Sequence, residues 1–177
     1  MNRLENIYLI GLMGAGKTTI GRYLAKALQK PFHDSDKAIE ESTGVDIPTI
    51  FEFEGEAGFR QREEKMIEQL TQLSGIVLAT GGGAILSEKN RRALREHGWV
   101  VYLQCSTECI LDRTRRDTQR PLLQTTDRRE RIQTLTRERH PIYQAIADFT
   151  VDTGRIPSKN AVKVILQHYQ NLTSNHE

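Results

Sequence analysis

The stretch GLMGAGKT at residues 11–18 fits the pattern G-x-x-x-x-G-K-[ST] at every fixed position, and no other feature of the chain restricts its fold so far. Such a loop needs a strand before it and a helix after it. Both are present: Ile7, Tyr8, Leu9 and Ile10 form a short apolar run of strand character, and Ile20, Tyr23, Leu24, Ala27 and Leu28 recur at helical spacing. Glycine lets the backbone curl with its N–H groups inward, and the following helix adds the positive end of its dipole, so the concavity suits a polyphosphate. Gly14, Ala15, Gly16, Lys17, Thr18 and Thr19 then hold the phosphates of a purine nucleoside triphosphate. Lys17 reaches the β- and γ-phosphates, and the Thr18 hydroxyl ligates a magnesium ion.

Further runs of strand character lie at 76–79, 100–103 and 149–152, with a weaker one at 31–33. Helical spacing recurs between them at about 61–73, 88–97, 107–116, 127–146 and 158–170. Alternation of this kind predicts βαβ crossovers and an α/β fold whose parallel sheet is covered on both faces. With 177 residues, 37% of them hydrophobic, one core and a single domain spanning 1–177 are expected. Residues 116–128 lack apolar periodicity and read as a mobile loop. The 25 basic and 23 acidic side chains leave a net charge of +2, too balanced to demand nucleic acid or an anionic membrane as partner. Cys105 and Cys109 read as small hydrophobes, which fits a reducing cytoplasm. The first apolar run is too short for a signal peptide and none approaches a membrane span, so a soluble, unprocessed protein is expected. No long heptad pattern appears, which predicts a monomer.

Among nucleotide-binding proteins, a regulatory GTPase needs D-x-x-G and N-K-x-D motifs, and the chain contains neither. A motor or transport ATPase places an aspartate after a hydrophobic strand, whereas 76–79 runs into Thr80-Gly81-Gly82-Gly83. Three glycines at the carboxyl end of a central strand allow close approach of a substrate. Asp34 and Asp36 follow the weak second strand and reach the same edge, where carboxylates serve magnesium, the substrate or a hydroxyl proton, or cap the next helix. Arginine is the next signal: Arg60 follows Gly58-Phe59, and nine arginines but no lysine fall within 113–139. Guanidinium forks suit carboxylate and phosphate. Most of these arginines read as a solvated helix face, but Arg120, ahead of the rigid Pro121 in the mobile loop, is placed to close over a transferring phosphate.

In order and spacing, these residues resemble the shikimate kinase family across essentially the whole chain. The resemblance rests on the loop from Gly11 through Gly21, Asp34-Ser35-Asp36, Gly58-Phe59-Arg60, Gly81-Gly82-Gly83, Arg120-Pro121-Leu122-Leu123, and Arg139 with Pro141 and Tyr143. It implies a three-layer fold, with a five-stranded parallel sheet in order 2-3-1-4-5 between helices, a substrate-binding segment at about 34–61 and a lid at about 112–125. It also implies transfer of the γ-phosphoryl of ATP to the 3-hydroxyl of shikimate, on the way to chorismate and aromatic amino acids. By the same resemblance Arg60 and Arg139 clamp the carboxylate, while Asp36 and the backbone of Gly81, Gly82 and Gly83 hold the ring hydroxyls. Asp34 becomes the general base, close to magnesium through water, and Lys17 and Arg120 stabilise the transferring group. Arg113 and Arg155 lie beside adenine, and Glu63 orients Arg60. Phe51, Phe59 and Leu122 read equally as pocket wall or plain core.

Two departures stand out: Thr18 and Thr19 occupy positions where many members have serine first, and Pro48 interrupts the substrate-binding segment. Threonine keeps the hydroxyl. The rival readings are a gluconate or nucleotide kinase of the same fold and a catalytically silent ATP-binding module. Arg60, Arg139 and the glycine triplet favour a carboxylated polyol, and the full set of Lys17, Thr18, Asp34 and Arg120 argues against a silent module.

Overall fold

The short apolar runs become strands because each is covered on both faces. In the computed structural model, which describes residues 3–174, they form β1 (Ile7–Ile10), β2 (Phe32–Asp34), β3 (Val77–Ala79), β4 (Trp99–Gln104) and β5 (Phe149–Asp152). All pairings are parallel and the order is β2-β3-β1-β4-β5, as expected. No residue of β1 or β3 is more than 1% exposed, which is why these strands show continuous rather than alternating hydrophobicity. The register sets Asp34 against Ala79 and Ala79 against Leu9. The chain therefore leaves β1, β2 and β3 along one edge, delivering Gly11, Ser35 and Thr80 to it.

Among the described residues, seven helices flank the sheet: α1 (Lys17–Leu28), α2 (Ser35–Thr43), α3 (Ile47–Thr71), α4 (Glu88–His97), α5 (Thr107–Arg113), α6 (Arg128–Ile146) and α7 (Ser158–Ser174). Side-chain caps fix several starts: Asp34 accepts from the N–H groups of Asp36 and Lys37, Ser87 from Asn90, Ser106 from Cys109 and Asp127 from Glu130. The thiol of Cys105 is pushed up to about 12 chiefly by burial, and both cysteines are free. Among the described residues, no helix is long and apolar enough to cross a membrane.

Helix α3 begins far ahead of the expected 61–73. Asp46 caps it by accepting from Thr49 N–H, and Pro48 sits in the first turn, where its missing N–H costs no helix bond. Pro48 thus starts a helix rather than interrupting the segment. At Gly55 the backbone turns to φ 69° and ψ −179°, breaking α3 into two helical runs. Ile39 of α2, Ile50 of the first run and Phe59 of the second form a small core, separate from the main one. Within the expected lid the described structure is sparse: α5 stops at Arg113, short of the expected 116, and a 3-10 turn at Pro121–Leu123 anchors the loop through buried Leu123.

Candidate active site

The phosphate-binding loop is shaped by glycines that no other residue replaces without strain. Gly11 lies at φ 148°, where an added Cβ would come 2.5 Å from the Leu103 carbonyl oxygen, and Gly16 caps α1 at φ 101°. Gly16 offers no side-chain cap, so the first N–H groups of α1 remain for a ligand. Ala15 is fully buried, and only its backbone can serve. The loop's carbonyls are drawn outward: Arg113 donates to Gly14 O at 3.0 Å and to Thr153 O at 2.8 Å, while the Thr153 hydroxyl donates to Ala15 O at 2.7 Å. Lys17 Nζ donates to Gly11 O at 2.6 Å and Leu12 O at 2.8 Å. Burial lowers the Lys17 pKa from 10.5 to about 7; Arg120 adds to the effect, and Asp36 and Asp34 oppose it.

Around the loop lies a cavity of about 510 Å³, lined by Gly14, Gly16, Lys17, Thr18, Thr19, Asp34, Asp36, Arg113 and Arg120. The Thr18 hydroxyl donates to Asp34 Oδ2 at 2.9 Å, while Asp34 Oδ1 caps α2 at 3.0 and 3.2 Å. Asp34 is therefore both a helix cap and a wall of the cavity. Arg155 is not drawn in: its side chain is 88% exposed, lies 3.4 Å from Asp152 and lines neither this cavity nor its neighbour.

The neighbouring cavity, about 80 Å³, is closed by α3, α6, the end of β3 and the loop from Gln119 to Leu122, and brings together Asp36, Arg60, Glu63, Gly81, Gly82, Gly83 and Arg139. Phe51, Phe59 and Leu122 also line it. Arg60 donates to Glu63 at 2.8 Å and Glu56 at 3.2 Å and lies over the Phe59 ring. Burial works against the Arg60 charge, but Glu63 and Glu56 outweigh it and raise the pKa. Burial raises Glu63 as well, and drives Asp36 from 3.8 to about 7 with help from the carboxylates of Glu63 and Asp34. Asp36 Oδ1, Glu63 Oε2, Arg60 Nε, and Nε and Nη1 of Arg139 are buried without a hydrogen-bond partner. So many unmet polar atoms around one cavity define a site that a polar ligand completes.

The glycine triplet makes room for these charges. A Cβ on Gly81 would stand 2.7 Å from both Asp36 Oδ1 and Glu63 Oε2, and one on Gly83 would stand 2.6 Å from Arg60 Cζ. Gly81 N–H is already donated to Ser35 Oγ at 2.9 Å, and the Gly81 and Gly83 carbonyls close a 3-10 turn at 3.1 Å each. The stretch thus has the N–H groups of Gly82 and Gly83 left to offer a ligand.

Asp36, Gly82 and Arg120 belong to both cavities, so the two ligand spaces meet at them. Arg120 is steadied by its Nε, which donates to Asp117 Oδ2 at 2.5 Å. Sequence reasoning missed Asp117, Thr153 and Ser35. For Asp117 there was a signal, an acid three residues before Arg120; for the other two, a hydroxyl at a strand end carries no distinguishing pattern.

A family model described as shikimate kinase matches residues 13–170. The chain belongs to the shikimate kinase family. It is 55% identical over 170 residues to a shikimate kinase of Methylococcus capsulatus, covering 96% of this chain and 95% of that one. It is 59% identical over 155 residues to a shikimate kinase of Thiobacillus denitrificans, covering 88% and 85%. In structure it resembles the shikimate kinase from Acinetobacter baumannii in complex with shikimate, with a TM-score of 0.91 and 47% identity over 96% of this chain and 93% of that one. Membership of the shikimate kinase family accounts for the fold and the phosphate-binding loop together.

Proposed function

We propose that the chain is a shikimate kinase that transfers the γ-phosphoryl of ATP to the 3-hydroxyl of shikimate, giving shikimate 3-phosphate and ADP. The observation that carries this reading is the small cavity in which buried Arg139 and half-buried Arg60 meet the carboxylates of Glu63 and Asp36, adjoining the phosphate cavity at Asp36 and Arg120. Shikimate has one carboxylate and three hydroxyls. Arg60 and Arg139 receive the carboxylate, and Asp36 with the Gly82 and Gly83 N–H groups receives ring hydroxyls. Gly81 contributes by leaving space for Asp36 and Glu63.

On the other side, the N–H groups of the loop and α1 hold the ATP phosphates, Arg113 flanks the adenine, and Arg155 joins it only by leaving Asp152. Asp34 takes the proton of the 3-hydroxyl as that oxygen attacks the γ-phosphorus and the bond to the bridging oxygen of ADP breaks. Lys17 and Arg120 stabilise the charge on the transferring group, and the phosphates themselves favour the charged form of Lys17. The hard oxygens of Thr18 and Asp34 fit magnesium, Asp34 through water; with no group of three or more His, Cys, Asp or Glu placed to hold a metal among the described residues, the phosphates supply further ligands. When bound, magnesium neutralises phosphate charge. The reading includes a monomer in the cytoplasm that acts on small molecules and uses neither nucleic acid nor membrane; the near-neutral charge supports it.

Coupled ADP release with ATP and magnesium, comparing shikimate, gluconate and a nucleoside monophosphate, tests the proposal alongside Asp34→Asn and Arg60→Ala. Turnover with shikimate alone, lost in both variants, is expected. Preference for another acceptor overturns the substrate, and no turnover with any overturns the kinase reading.

A further inference from the structure

Arg139 and Tyr143 stand one turn apart on the buried face of α6, with 3% and 1% of their surfaces exposed. The Tyr143 hydroxyl donates to the Gly82 carbonyl oxygen, and its electrostatic interaction with the Arg139 guanidinium favours the charged form of that arginine. Gly82 is close to the same guanidinium: a Cβ built on it would be 3.6 Å from Arg139 Nη1. The phenol is braced from behind, its ring stacked on Tyr102 with centroids 4.9 Å apart, and the Tyr102 hydroxyl is hydrogen-bonded to His140 Nδ1 at 2.8 Å. Burial raises the Tyr143 pKa, so the hydroxyl keeps the proton it gives to Gly82 and offers its lone pairs to Arg139. One oxygen therefore stands between the turn after β3, which it holds, and an arginine whose Nε and Nη1 have no hydrogen-bond partner.

We propose that Tyr143 is a positioning residue, whose hydroxyl sets the Arg139 fork relative to the Gly82 turn and so fixes where a bound carboxylate places the ring attached to it. The inference rests on the reading of Arg139 as a carboxylate ligand. Without the hydroxyl, the guanidinium keeps its charge and its place on α6 but loses its fixed angle, and Gly82 O loses its donor. The effect belongs to the acceptor substrate, whose carboxylate the Arg139 fork receives.

Steady-state kinetics of Tyr143→Phe, Arg139→Lys and the double variant provide the test. Tyr143→Phe keeps the stacked ring, and is expected to raise the KM for shikimate about tenfold or more while leaving the KM for ATP at the wild-type value. In the Arg139→Lys background the same change is expected to add less than about twofold, because the fork it positions is already gone. A wild-type shikimate KM for Tyr143→Phe, with Arg139→Lys impaired, overturns the positioning role alone. A wild-type shikimate KM for Arg139→Lys instead overturns the carboxylate reading on which it rests. Equal rises in both KM values, full additivity in the double variant, or failure of Tyr143→Phe to fold makes the hydroxyl a general stabiliser and refutes the proposal.

Discussion

Asp36→Asn is expected to make the ligand-free protein more stable at alkaline pH and less stable at acid pH, a change of sign that follows from where this carboxylate is buried. Its pKa is raised from 3.8 to about 7, first by burial and then by Glu63 and Asp34. A carboxyl group whose folded pKa is raised binds its proton more tightly when folded, so it destabilises the fold progressively as pH rises from 3.8 to 7, and fully above that. The penalty amounts to about 4 kcal/mol at about pH 8, about 2 kcal/mol at about pH 5 and about half a kcal/mol at about pH 4. Asparagine removes it, but leaves an incompletely bonded buried amide that costs about 1–3 kcal/mol at any pH. The net is a gain of about 1–3 kcal/mol near pH 8, no difference near about pH 5 and a loss below. At about 2–4 °C per kcal/mol for a chain of this size, the variant melts several degrees higher at the alkaline end. Thermal melts of both ligand-free proteins across this range, at constant ionic strength, provide the assay. A melting difference independent of pH, or one that grows toward acid, refutes the reasoning.

Three further outcomes are expected. Lys17→Met abolishes turnover yet raises the melting temperature; because burial holds the Lys17 pKa down at about 7, the gain is largest below that pH and fades toward 10.5, and a melt unchanged at both ends would contradict it. Gly83→Ala sets a methyl group 2.6 Å from Arg60 Cζ and displaces a guanidinium held by Glu63, Glu56 and Phe59. The KM for shikimate should then rise by about tenfold with the KM for ATP unchanged, and a wild-type value for both would count against the close approach. Gly98→Ala drives a Cβ to within 2.7 Å of Tyr8 Cζ, a ring with no exposed surface, so the melting temperature should fall by about 4–8 °C while kinetics at room temperature stay normal.

The sheet was legible because β1, β3 and β4 are almost wholly buried, and burial on both faces writes itself as unbroken apolar runs. The phosphate-binding loop was legible for a different reason: backbone curvature restricts residue type at Gly11, Gly14 and Gly16, all at positive φ. The first half of α3 was not, since it covers a core of only Ile39, Ile50 and Phe59, leaves Phe53 81% exposed and breaks at Gly55. Too few apolar positions face inward there to set a period. The glycine triplet was read as space for a substrate, and the structure adds that Gly81 makes space for Asp36 and Glu63, and Gly83 for Arg60, side chains up to 45 residues away in sequence (81 − 36). Such long-range crowding has no local signature. Thr153 and Arg155 show the same limit from opposite sides: two residues apart after β5, one ties down the loop while the other pairs with Asp152 in solvent.

Because Asp36, Gly82 and Arg120 wall both cavities, under the proposed assignment each substrate helps to build the surface that the other meets. In the proposed reaction, charge brought to Arg120 by a γ-phosphate alters the field at Asp36, and a hydroxyl held by Asp36 alters the field at Arg120. Binding of the two is then linked, and linkage is reciprocal: whatever factor ATP contributes to shikimate affinity, shikimate returns to ATP. The wall between the cavities works as a thermodynamic lever with two equal arms.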